Sequence, residues 1–184
     1  MSLLGQFRLF YYCYLSKPRA NRPIYRAIRE RKALKIVELG IGDGGRALRM
    51  FDVARLVSPG QDPKYVGFDR FEDQPDAAAP PLTLKQAHRL MLSAGVKARL
   101  VPGEPSESLV RVANTLGQVD LLILPAELAS PAAARFWYFV PRLLHDRSAV
   151  LIEGDGADGG RTYQELSRAK IENLAASGAL RRAA

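Results

Sequence analysis

Cysteine is almost missing from this sequence: Cys13 is the only one in 184 residues. A single cysteine excludes an intramolecular disulfide framework and any cysteine-based zinc cluster, and it agrees with a reducing compartment. No apolar run approaches the roughly 20 residues needed to span a bilayer. The opening MSLLGQFRLFYYCYL is broken by Arg8, is rich in large aromatics and lacks a small-residue cleavage site, so it does not read as a signal peptide. A cytoplasmic protein with no membrane partner is the expectation. Internal repeats and long low-complexity tracts are absent as well. At this length, with 47% apolar residues, the chain can bury one sizeable core.

What is plentiful is positive charge, and it is unevenly placed. Residues 1–35 carry nine Lys/Arg against the single acid Glu30, while the rest holds 18 basic and 18 acidic residues, so the net +8 sits at the N-terminus. Two parts follow: a basic, aromatic-rich helical extension at 1–34 and a cofactor-binding domain at 35–184. Asn21-Arg22-Pro23 starts a basic helix of about ten residues, and Leu3 to Leu15 reads as an aromatic-rich helix. Phe7, Phe10, Tyr11, Tyr12 and Tyr14 ahead of SKPRANRPIYRAIRERK would suit nucleic acid by stacking and phosphate neutralisation. The alternative is an amphipathic cap whose aromatics pack on a sheet edge or in a homodimer interface, and that reading is preferred.

From Lys35 onward short apolar runs alternate with segments of helical period. KIVEL (35–39), KYVGF (64–68), ARLV (98–101), VDLLIL (119–124) and AVLIE (149–153) read as strands buried on both faces. Ala47, Met50, Phe51, Ala54 and Val57 recur at helical spacing, as do Leu84, Ala87, Met91 and Ala94 behind the cap Thr83. Ser130–His145 reads as a helix capped by Ser130 and Pro131 and kinked or shortened by Pro141, 161–176 reads as a final helix, and DAAAPP (76–81) as a surface loop. This is an α/β fold: a doubly wound, mostly parallel, Rossmann-like sheet of about five strands with helices on both faces.

KIVELGIGDGGRAL (35–48) sets a glycine-rich loop between a strand and a helix. Gly40, Gly42 and Gly45 fit the dinucleotide spacing, whereas Gly40, Gly42 and Gly44 fit the G-x-G-x-G spacing of S-adenosylmethionine sites. Neighbouring charge separates the two. Glu38 ends the first strand and Asp43 lies within the loop, and two carboxylates repel a pyrophosphate but attract an ammonium and a sulfonium. Asp69, ending the second strand, can accept from ribose hydroxyls of either cofactor.

These residues resemble the class I S-adenosylmethionine-dependent methyltransferases over about 140 residues from Lys35 to Ala176. VELGIGDG matches the first motif, YVGFDRFEDQPD is similar to the segment of the macrocin O-methyltransferase type, and RLVPGEP resembles the third-strand motif beside the adenine. The resemblance implies S-adenosylmethionine as cofactor, with contacts from Glu38, Gly40, Gly42, Asp43, Gly44, Asp69, Arg70, Gly103 and Glu104.

Two departures stand out. Metal-dependent relatives carry acids at the ends of the fourth and fifth strands, where this chain has Pro125 and Glu127, then Glu153, Gly154 and Asp155. Proline offers no side-chain ligand, so no metal is expected, and Glu127, Glu153 and Asp155 remain the candidate catalytic acids. Relatives also continue into a sixth and seventh strand, a hairpin expected to be absent here, which would leave an open edge for a homodimer partner. His88 and His145 are expected to be structural or on the surface. Cys13 is misplaced for a pyrimidine nucleophile, and LPAEL is not the adenine-methylation motif.

The function expected is methyl transfer to an oxygen or nitrogen of a small molecule. A noncatalytic binding module and an RNA methyltransferase guided by the basic arm remain open alternatives.

Overall fold

Runs that are apolar on both sides of the backbone have to be covered on both sides, and the inner strands obey this, whereas the edge strand Lys97–Pro102, expected to be buried on both faces, buries only Leu100. In the computed structural model, which describes residues 2–73, 82–130, 133–156 and 159–183, the strands are β1 (Lys35–Leu39), β2 (Lys64–Asp69), β3 (Lys97–Pro102), β4 (Val119–Leu124) and β5 (Leu144–Asp155). A sixth, β6 (Arg161–Glu165), completes a sheet of order β3-β2-β1-β4-β5-β6. The first five are parallel and β6 runs antiparallel to β5.

Alternation along each strand splits the core in two. Ile36, Tyr65, Leu121 and Leu151 face a layer containing Ile24, Tyr25, Ile28, Met50, Phe51 and Met91, contributed by α2 (Arg22–Arg31), α3 (Gly45–Val57) and α4 (Leu84–Ser93). Val37, Phe68, Leu122 and Val150 face the opposite layer, with Leu109, Trp137 and Ile171 from α5 (Pro105–Leu116), α6 (Ala134–Trp137) and α7 (Arg168–Ala183). The register Ile36↔Leu121 and Val37↔Leu122 keeps each face continuous across β1 and β4. A one-residue slip would turn both pairs to the wrong layer.

The N-terminal segment packs on the first layer. It consists of α1 (Leu3–Phe10), a π-helical turn (Tyr11–Leu15) and, past a short turn, α2. Cys13, Ile24, Tyr25 and Ile28 are fully buried, and the Tyr12 hydroxyl donates to Asp52 of α3 at 2.7 Å. Thr83 caps α4 in a reciprocal capping box with Gln86, as the sequence suggests.

Three further expectations need correction. The antiparallel strand that was expected to be missing exists: Arg161–Glu165 pairs with β5, from Leu151↔Glu165 to Asp155↔Arg161, and the final helix starts only at Arg168. In RTYQE only Tyr163 is buried, so a single inward residue gave no period-two signal to compete with the helical pattern beyond it. The edges of the sheet are therefore β3 and β6.

Next, the helix expected over Ser130–His145 shrinks to Ala134–Trp137, followed by a 3₁₀ turn at Val140–Leu143, and β5 begins at Leu144. Pro141 lacks the N–H that an α-helix would require there. Pro131 and the loop 76–81 lie outside the described residues. Finally, α5 adds a helix to those expected, with Pro105 in its first turn and Leu109, Ala113 and Leu116 buried along one side. Among the described residues no helix is long and apolar enough to cross a membrane.

Candidate functional site

The strand order reverses between β1 and β4, and crevices form at the carboxyl ends of strands around such a switch point. A cavity of about 640 Å³ opens there. Its walls include Gly40, Gly42 and Asp43 after β1, Asp69 at the end of β2, Pro125 after β4, Glu153 of β5 and Tyr163 of β6. Pro18, Ala20 and Asn21 supply a wall from the N-terminal segment, and Arg46 and Arg49 one from α3.

The glycine loop takes the conformation its spacing demands. Gly40 and Gly42 have φ of +82° and +63°, and a Cβ built on either would meet nothing within 4 Å, so the backbone lies bare beside open space. Gly44 also has positive φ, +76°, but serves packing: a Cβ there would run into Leu90 of α4. Asp69 holds the loop in place, its Oδ2 accepting from the amides of Ile41 at 2.7 Å and Gly42 at 3.1 Å. Asp43 accepts from Gly45 N at 2.9 Å in the first turn of α3, where the helix dipole favours a carboxylate.

Glu38 occupies a different place from the one its sequence position suggests. It is fully buried. Arg46 pairs with its Oε1 and the Tyr65 hydroxyl donates to its Oε2. Arg46 reaches further, donating to Gly40 O and to the Tyr163 hydroxyl, both at 2.6 Å, with its guanidinium 5.5 Å from the Tyr163 ring centre. One arginine thus ties β1, the glycine loop and β6 together. Burial alone would weaken the Arg46 proton, but Glu38 and Tyr163 hold its pKa above the ordinary arginine value. Burial first, and then Glu38, push the Tyr65 hydroxyl well above its usual range; burial, opposed by Arg46 but assisted by Glu153 and Glu38, pushes Tyr163 up to about 12. The charge of Glu38 is spent inside the protein, and the carboxylates that line the cavity are Asp43, Asp69 and Glu153.

The remaining candidates divide by location. Arg70 and Glu104 pair with each other across the ends of β2 and β3, Arg70 Nε lying 2.8 Å from Glu104 Oε2, and Gly103 donates from its amide to Asp69 O at 3.1 Å. They flank Asp69 without lining the cavity. Of the three acids at the ends of β4 and β5, only Glu153 reaches the wall, where Arg161 lies 3.1 Å away. Glu127 and Asp155 are exposed and outside the lining, and no group of three His, Cys, Asp or Glu side chains suited to a metal occurs among the described residues.

His145 lies at the far end of the sheet, with Nε2 2.9 Å from Asp120 Oδ1. Burial would raise the Asp120 pKa, but the Lys35 and Leu34 amides and His145 together bring it below its ordinary value. His88 lines a separate hollow beside α4. The sequence reading missed Arg46, Arg49 and Tyr163. The two arginines left a signal, standing three apart on a helix whose neighbours Ala47, Met50 and Phe51 are core residues; Tyr163 left none beyond being the lone buried residue of its strand.

No family model and no curated protein sequence matches the chain. Solved structures do. A methyltransferase from Geobacter sulfurreducens matches at 18% identity and a TM-score of 0.50, over 74% of this chain and 60% of that one, so the chain spans about three fifths of that relative. The O-methyltransferase TomG from Streptomyces achromogenes, solved with S-adenosylmethionine, matches at 12% identity and a TM-score of 0.51, over 100% and 79% of the two chains. The methyltransferase PaMTH1 from Podospora anserina, solved with S-adenosylhomocysteine, matches at 14% identity and a TM-score of 0.53, over 97% and 75%. The chain shares the α/β fold of these methyltransferases.

Proposed function

We propose that the cavity holds S-adenosylmethionine and that the protein transfers a methyl group to an oxygen or nitrogen of a small molecule. The observation that carries this reading is the bare backbone at Gly40 and Gly42, held by Asp69, facing a cavity walled by both arginines and carboxylates. A volume of about 640 Å³ suits a ligand of nucleoside size. A ligand bearing one carboxylate and two cationic centres matches a wall of mixed sign, whereas a pyrophosphate would meet Asp43 and Asp69 with two negative charges. Charge still favours the methyl donor, through Asp43, Asp69 and Glu153 rather than through Glu38.

When bound, the cofactor supplies a methyl carbon already activated by a sulfonium. The chain's own residues have positioning work to do. Gly40 and Gly42 would let the ligand reach the backbone, Asp69 fixes the loop and would be the carboxylate nearest a ribose bound against it, and Arg70, Gly103 and Glu104 stand behind Asp69 outside the cavity. Arg49, which also donates to Lys17 O at 2.8 Å, offers a cation to a carboxylate and ties the N-terminal wall to α3. Neither histidine lines the cavity, and Asp43 and Asp69 accept from amides of the glycine loop, so Glu153 or solvent would take a proton leaving the acceptor.

A second reading, in which the fold binds the cofactor without transferring its methyl group, is favoured by the sparse acids at the site: of Glu127, Glu153 and Asp155 only Glu153 lines the cavity. Incubation of the intact chain with methyl-labelled S-adenosylmethionine and a panel of hydroxyl and amine acceptors separates the two. Label in an acceptor supports the enzyme. Binding of the cofactor without transfer to any acceptor supports the second reading, and absence of binding refutes both.

A further inference from the structure

We infer that α1 and the π-helical turn after it form a docking face for an anionic lipid surface, an inference independent of the cofactor. Among the described residues, every exposed large apolar side chain except Leu92 lies between residues 3 and 15. Leu3, Leu4 and Phe7 are 83%, 73% and 67% exposed, and Phe10, Tyr11 and Leu15 extend the same surface. The opposite side of this segment is anchored: Leu9 and Cys13 are buried in the core and Tyr12 is bonded to Asp52. The segment is apolar on both sides, and one of them faces outward.

Cations border that side. The Arg29 guanidinium lies 5.9 Å from the Tyr14 ring centre, and Arg29 and Lys32 share a surface hollow with Leu9 and Phe10. Arg8 and Lys17 are exposed nearby, within the first 35 residues that hold the whole net charge of +8. Leucines and phenylalanine set among Lys/Arg, with tyrosines at the margin, are the composition of a helix lying in a bilayer interface, where apolar groups enter the acyl boundary and cations meet lipid phosphates. A second copy is a poor occupant, because pairing through this face would bring two +8 segments together. Nucleic acid is a poor occupant as well, since the most exposed residues of the face, Leu3 and Leu4, give bases nothing to stack on, although Phe7, Phe10, Tyr11 and Tyr14 lie beside them. The lack of a membrane-spanning run leaves a surface-lying helix unaffected. Pro18 comes three positions after Leu15, a distance of at most ~11 Å, so docking would set the cavity wall near the lipid surface.

Flotation of the full chain with vesicles of phosphatidylcholine alone, and of phosphatidylcholine and phosphatidylglycerol at three to one, tests this. Binding to the anionic vesicles is expected, at least about tenfold tighter than to the neutral ones. Raising salt from about 0.1 M to about 0.5 M should weaken it severalfold as the screening length falls from ~10 Å to ~4 Å. Leu4→Ser/Phe7→Ser should lower binding at least about tenfold while leaving the melting temperature unchanged, since both side chains point into solvent. Lys17→Gln/Arg29→Gln should reduce both affinity and salt dependence. Equal flotation with the two vesicle types, or anionic binding untouched by Leu4→Ser/Phe7→Ser, would overturn the inference. So would a dimer in sedimentation, or an oligonucleotide complex, that the same substitution abolishes.

Discussion

Replacing Arg46 with alanine should destabilise the fold more than a change beside a cavity ordinarily does. Glu38 is fully buried and the Arg46 side chain only 19% exposed, so the pair exchanges little with solvent. Removing one partner of a buried pair leaves an uncompensated charge and costs about 3–5 kcal/mol. In Arg46→Ala the Glu38 carboxylate would keep only the Tyr65 hydroxyl, and Gly40 O and the Tyr163 hydroxyl would each lose a donor. For a chain of this size about 2–4 °C is lost per kcal/mol, so melting should fall by roughly 6–20 °C. Thermal and urea unfolding followed by circular dichroism would measure it. The triple change Glu38→Leu/Arg46→Met/Tyr65→Phe should recover more than half of the loss, because apolar residues of similar volume replace the buried pair together with its Tyr65 donor at little cost. A loss below about 1 kcal/mol for Arg46→Ala would show that the pair behaves like a surface ion pair, and would refute the reasoning.

Gly42→Ala and Gly44→Ala share a positive-φ penalty of about 1–2 kcal/mol but should diverge in function. The methyl of Gly42→Ala enters open space beside the cavity and should weaken S-adenosylhomocysteine binding at least about tenfold in calorimetry, whereas Gly44→Ala displaces Leu90 and should show mainly in melting. Asp69→Ala should release the Ile41 and Gly42 amides and weaken the same ligand by at least about tenfold. Tyr163 provides an alkaline test: unfolded tyrosine ionises near pH 10 while folded Tyr163 keeps its proton up to about 12, so stability should fall as pH rises through that window. Relative to wild type, Tyr163→Phe should recover about 2–3 kcal/mol across it in urea titrations, after losing about 1 kcal/mol at neutral pH with the Arg46 hydrogen bond.

The parallel sheet was legible in the sequence because its strands carry short apolar stretches, such as Ile36 and Val37 in β1, Leu121 to Leu124 in β4 and Ala149 to Ile152 in β5, between glycine, proline or charged residues. β6 was not, since one buried tyrosine among exposed polar residues carries no period. Pro141 announced a break, and only the structure shows that the chain turns there into a longer β5. The turn glycines Gly40, Gly42 and Gly44 were readable from spacing, though not that Gly44 serves packing, and Asp69 was readable from its place at the end of β2. The role of Glu38 was hidden because its partners come from other stretches: Tyr65 lies 27 residues away, and Arg46 stands on the next helix, where it also holds Tyr163 from more than a hundred residues on. Charge read along a sequence does not reveal that a neighbour eight positions away has already neutralised it.

Calorimetric titration of the intact chain with S-adenosylhomocysteine and, separately, with NAD tests the central claim most directly. One-to-one binding of S-adenosylhomocysteine, weakened by Asp69→Ala, with no heat from NAD, is the expected result. Binding of NAD in its place, or no binding of S-adenosylhomocysteine to a chain that melts cooperatively, would contradict it.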